Sequence, residues 1–250
     1  MSDRSPFGIR LWRLLARRRP SPLLPTGQVT AAFARDCGVP AAELAALVQG
    51  TEPSPATLRA LGPALGIPAA DMFVIASLPV PDDLASAWRT SPWDVGTIIE
   101  LAAGMPAARI ARLNELIRSL PEQPRTQPPP TDTYPEGPGA LLLRLLMNRN
   151  IRPYNAKILY AVGGGPYVSD ATVGQLGPGR VVLTAQYVTA FAHLLGYAPE
   201  DMVAITGVGP VLTEQAVHPA AAEIAAVAWN ARRLTSDQIA DVRERSRKRR

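Results

Sequence analysis

Between residues 138 and 182 the chain carries five cations, Arg144, Arg149, Arg152, Lys157 and Arg180, against one acid, Asp170. A local excess of +4 suits contact with phosphates, and it equally suits a solvated polar face. Inside that stretch Ser169, Thr172 and Gln175 recur at every third residue. On a helix they share one outward side, where hydroxyls and an amide can hydrogen-bond a ligand. Ser169 can instead act only as a helix N-cap, and Gln175 as an ordinary solvated residue.

Catalytic and metal chemistry find no comparable grouping. The single cysteine, Cys37, excludes an internal disulfide and a multi-cysteine zinc site, and its spacing makes it a core side chain. His193 and His218 are too far apart in sequence to suggest a metal motif. Asp82-Asp83 and Glu200-Asp201 are acids at helix starts, where the helix dipole favours them, and not a general acid/base pair. Gly163-Gly164-Gly165 has no following G-K-[ST], so it is a long turn and not a phosphate loop. The expectation is a protein without enzymatic activity, metal or cofactor.

The net charge of +5 is an average over unlike parts. Residues 1–19 and 243–250 are each +5, whereas residues 20–242 sum to −5. Such basic ends either contact phosphates as arms or simply solvate helix termini. Few aromatics and abundant alanine favour closely packed helices. No apolar run reaches the ~18 residues needed to span a membrane, and no signal-peptide pattern opens the chain. The expected location is therefore the cytoplasm.

The elements that must position these side chains come in two sets. Leu65-Gly66-Ile67-Pro68-Ala69-Ala70-Asp71-Met72 returns as Leu195-Gly196-Tyr197-Ala198-Pro199-Glu200-Asp201-Met202, and Ile110-Ala111-Arg112-Leu113 as Ile239-Ala240-Asp241-Val242. Leu11–Arg18 returns, offset by one, as Leu142–Arg149. A period near 130 residues is too long for a solenoid repeat and implies tandem domains. Apolar spacing predicts five helices in each set, followed by a helical pair, and no strands. The second set is expected near 139–149, 153–162, 169–176, 184–195 and 198–206, with its pair at 219–231 and 235–248. Residues 121–138, PEQPRTQPPPTDTYPEGP, are too proline-dense to pack and are expected to be an extended linker.

In the first set the core pattern is Phe33-Ala34-x-x-Cys37-Gly38-Val39-Pro40, Leu44, Leu47 and Gly50, then Leu58, Leu61 and Leu65. This is a helix-turn-helix: Ala34 allows a close crossing, Gly38 the turn, and Val39, Leu44 and Leu47 plug the angle. The pattern resembles the five-helix domain of the lambda-repressor/Cro (Xre) family over about residues 8–78 and, more loosely, 139–208. The whole layout is similar to uncharacterised tandem helix-turn-helix proteins of actinobacteria.

The resemblance implies an all-α fold with two lambda-repressor-like five-helix domains. These are a first domain at 7–78 with a helical extension at 79–120, the linker at 121–138, a second domain at 139–208, and a further extension with a basic tail at 209–250. It also implies a transcriptional regulator that binds duplex DNA, usually as a dimer. The first recognition helix would present Ala41, Ala42, Glu43, Ala45, Ala46 and Gln49, which suits a structural or dimerisation role. In the second, Val173 and Leu176 take the places of Leu44 and Leu47, and Gly179 that of Gly50. Readout would then fall to Ser169, Thr172, Gln175 and Arg180, with Arg152 and Lys157 on phosphates. The competing expectation is a protein-interaction adaptor on the same scaffold, which would expose apolar side chains where DNA should lie.

Overall fold

The computed structural model describes residues 5–18, 26–86, 94–124, 134–152 and 155–248. Among them there are fourteen α-helices and no strand, so the fold is all-α. The first seven are α1 (Pro6–Arg17), α2 (Thr26–Cys37), α3 (Ala41–Gln49), α4 (Pro55–Leu65), α5 (Ala69–Ile75), α6 (Asp94–Ala103) and α7 (Ala107–Ser119). The second seven are α8 (Pro138–Asn148), α9 (Ala156–Gly163), α10 (Asp170–Gly174), α11 (Ala185–Leu195), α12 (Pro199–Thr206), α13 (Ala221–Ala231) and α14 (Ser236–Lys248).

The repeat is visible in contacts as well as in order. Arg18 donates to the carbonyls of Leu14 and Leu65, and Arg149, 131 positions later, donates to those of Leu145 and Leu195. Each arginine therefore caps the last turn of the fourth helix of its set, where carbonyls lack helical partners. Gly8 packs against the backbone of Leu47 and Val48, and Gly139 against that of Leu176; an added Cβ would lie 2.8 Å and 2.1 Å from a carbonyl oxygen. Glycine at these two positions lets the first helix of each set touch the end of the third. Leu44, Leu47, Val173 and Leu176 are all buried.

The chain divides into two compact units: residues up to Leu84 with Ala204–Gly207, and Ala85–Val203 with Val208–Arg250. In the first unit, α1 packs on α3, α2 on α3 and α4, and α4 on α5. Leu11, Leu14, Leu44, Leu58, Leu61 and Phe73 form its core. Arg10 is buried and donates to the Ile75 carbonyl at 2.7 Å, closing α5.

The second unit contains α6 and α7, which the sequence reading attached to the first domain. The division therefore falls near residue 84, not at the proline-rich stretch, of which residues 125–133 lie outside the described residues. The physical reason is apolar: Val95, Ile98, Ile99 and Ala102 of α6 and Ile110, Leu113 and Ile117 of α7 are buried, largely against α13. Polar clips hold the same arrangement. Asn230 donates to Asn114 at 2.7 Å, Gln238 to the Pro121 carbonyl at 2.8 Å, and the His218 ring meets the Ala103 carbonyl at 3.1 Å. The two helical pairs thus pack on each other, with α9 and α11 also against this layer.

Candidate nucleic-acid interface

Helix α9 begins at an N-cap, Asn155, whose side chain accepts from the Ile158 N–H at 3.2 Å. It ends at Gly164, whose positive φ of 68° allows the chain to turn away. The turn 164–169 leads into α10, capped by Ser169, whose hydroxyl accepts from the Thr172 N–H at 3.2 Å. Ser169 is thus the N-cap of α10, and its oxygen also sits 2.9 Å from the Thr172 hydroxyl. Asp170 ties the two helices together: its Oδ1 accepts from the Ala156 N–H at 2.8 Å, at the first turn of α9. Sequence spacing offered no sign of that bond, because it joins residues on different helices.

Helix α10 is shorter than the expected 169–176. It holds only Asp170–Gly174, because Gly174, Gly177 and the Gly-Pro pair 177–178 deprive a longer helix of support. Gln175 is its C-cap residue and half-buried, and its Oε1 accepts from exposed Arg180 at 3.4 Å, a long contact. Ser169, Thr172, Gln175 and Arg180 thus lie on one short segment, spanning the helix and the turn after it.

The cations of this region divide sharply. Arg149 is 1% exposed and structural, and half-buried Arg144 donates to the Tyr134 carbonyl at 3.0 Å. Exposed Arg152, Lys157 and Arg180 remain at the surface. Lys157 Nζ lies 2.9 Å from Glu100 Oε2 of α6; that hydrogen bond and charge push its pKa upward. The pair sits in water, where such bridges are weak and exchange readily. Of the five cations expected here, three are exposed, and Lys157 among them is ion-paired with Glu100.

Two exposed aromatics also lie here. Tyr160 of α9 and Tyr167 of the turn meet edge to face with ring centroids 5.4 Å apart. Tyr167 is 88% exposed, and Val182 beyond α10 is 78% exposed. Their types alone would have placed them inside, and no periodicity marks them as outward.

In the first unit, the third helix has the composition expected of it. Ala41, Ala42, Ala45 and Gln49 are exposed. Glu43 accepts a hydrogen bond from the Thr57 hydroxyl, whose own backbone N–H is held by the α4 cap Ser54 at 3.1 Å. That carboxylate braces α3 against α4.

No group of three or more His, Cys, Asp or Glu side chains able to hold a metal occurs among the described residues, and no single helix among them is long and apolar enough to cross a membrane. Comparison with protein-family models, curated proteins and solved structures finds no match to this chain.

Proposed function

We propose that the protein is a DNA-binding transcriptional regulator whose second unit makes the main contact. The observation that carries this reading is the joining of α9 and α10 by Asp170, beside exposed Ser169 and Arg180 and half-buried Thr172 and Gln175. It gathers hydroxyls, an amide and Arg180 on one side of a helix-turn-helix, with Lys157 one residue from the junction. Helix α10 is less than two turns long, so few base edges are within its reach. Phosphate contacts from Arg152, Lys157 and Arg180 then supply most of the affinity, which makes binding strongly salt-dependent. In this reading the alanine face of α3 serves assembly, within a homodimer or against a protein partner.

The test is selection of duplexes from a random pool by the full chain, followed by titration at several salt concentrations. A recovered motif is expected, with Gln175→Ala and Arg180→Ala each costing ~1–3 kcal/mol of specific binding. Arg152→Ala or Lys157→Ala should weaken all duplexes alike and lower the salt slope by about one. A pool that stays random, with no salt-dependent binding, would refute the proposal.

The Tyr160–Tyr167 pair and Val182 favour a second reading, an adaptor that holds a protein. Tyr167→Ala separates the two. It should abolish partner capture in the adaptor and leave duplex affinity within about twofold in the regulator, since an aromatic edge adds little to phosphate contact.

A further inference from the structure

A cleft of about 180 Å³ lies where α7 passes the last turns of α14. Its floor is Met105, Leu113 and Leu116, and its rim is Arg109, Arg112 and Arg245. We propose that this cleft binds a small amphipathic carboxylate, with a compact apolar body on the floor and the carboxylate at Arg112.

The local pattern builds the site. Arg109, Arg112 and Leu116 follow one another at steps of three and four, so they form one stripe along α7, and Met105 lies two residues before the helix begins. The neighbouring stripe, Ile110, Leu113 and Ile117, is buried in the unit's core. The cleft stripe is thereby turned toward α14, whose Arg245 and Ser246 close it.

The three guanidiniums are in different states. Arg245 is chelated by Asp241: its Nε lies 2.8 Å from Oδ1 and its Nη2 2.8 Å from Oδ2. That pair is neutral as a wall. Arg109 Nη2 donates to the Ser246 carbonyl at 3.1 Å, which fixes its position without cancelling its charge. Arg112 is exposed and has no hydrogen bond or ion pair among the described residues. Arg109 and Arg112 therefore stand over an apolar floor, while the charge of Arg245 is matched by Asp241.

The chemistry of the ligand follows. A guanidinium binds a carboxylate through two parallel N–H···O bonds. A bare inorganic anion would leave Met105, Leu113 and Leu116 hydrated, and a neutral apolar molecule would leave Arg112 unmatched. The volume exceeds the ~150 Å³ of a cavity that accepts benzene and falls below the ~300 Å³ of drug-sized pockets. One ring or a short alkyl chain fills it. The assignment does not depend on DNA binding, and its test contains no DNA.

The experiment is calorimetric titration of the full chain with phenylpropanoate, and with phenylpropanol as the neutral match. Saturable one-site binding of the acid is expected, with the alcohol at least about tenfold weaker. Arg112→Gln should cost about tenfold or more, and Arg112→Lys less, because lysine keeps the charge and loses the paired geometry. Arg118→Gln, an exposed change on the same helix outside the lining, should bind as wild type. Thermal unfolding of each variant checks that the fold is kept. Absence of saturable binding, equal binding of the alcohol, or wild-type affinity in Arg112→Gln would each overturn the site.

Discussion

Arg18 and Arg149 perform one task in two environments, which lets burial be separated from bonding. Both donate to the end of a fourth helix, but Arg149 is 1% exposed while Arg18 is half-exposed. Arg149 also lies over the rings of Trp229 and Tyr197, at 5.1 Å and 5.7 Å from their centroids. Arg149→Ala would open a cavity and strip buried carbonyls of a charged donor, a cost of about 3 kcal/mol or more. Arg18→Ala lets water replace the donor, at a cost of about 1 kcal/mol. Urea unfolding of the two variants checks the difference; equal losses would show that burial is not the deciding factor. His193 on α11 gives a pH signature. Burial holds its pKa below the usual histidine value, against a smaller opposing pull from Glu200. The unfolded chain then binds the proton more readily, so stability falls as pH drops below about 6.5. His193→Gln should flatten that part of the stability profile measured by chemical unfolding.

At the scale of the element, close approach and helix length decide more than composition does. In the first turn of α8, a Cβ added at Gly139 would lie 2.1 Å from the Leu176 carbonyl oxygen and 2.8 Å from its carbon, both backbone atoms. Gly139→Ala should destabilise the second unit by about 3 kcal/mol or more through overpacking. Gly27 is also helical, yet nothing lies within 4 Å of its added Cβ. Gly27→Ala should be neutral or stabilise by up to about 1 kcal/mol, by reducing the freedom of the unfolded chain. Thermal unfolding of both variants tests the contrast, and a large loss at Gly27 would contradict the open space around it. The shortness of α10 has the same origin as the tightness at Gly139. Glycines that permit backbone contact also deny the helix its propensity.

For the whole molecule the question is which segments fold together. Helices α6 and α7 supply Val95, Ile98, Ile99, Ile110, Leu113 and Ile117 to the second unit's core. At ~1.5–3 kcal/mol for each buried side chain, their combined contribution is comparable to the ~5–15 kcal/mol by which a domain is stable. A fragment covering residues 85–250 should therefore unfold cooperatively and stay monodisperse. A fragment covering 138–250 should lose cooperativity and bind a hydrophobic dye. Circular dichroism and dye fluorescence on both distinguish these outcomes; a cooperative 138–250 fragment would place the boundary at the proline-rich stretch after all.

The all-helical character and the order of the helices were determined by the chain itself. Leu44, Leu47, Val173 and Leu176 occupy matching buried places because their spacing matches the helical period. Helix ends were legible for the same local reason, at caps such as Ser54 and Ser169. Periodicity carries no information about which faces meet when they are far apart in sequence. Tertiary structure alone decided that Arg149 is buried while Arg152 is exposed, that Lys157 pairs with Glu100, and that Asp170 holds α9. It also turned Arg112 and Arg245, 133 residues apart, into the rim of one cleft. Packing α6 and α7 on α13 buries Ile98, Ile99, Ile110 and Leu113, and that apolar burial joins the two helical pairs in one unit.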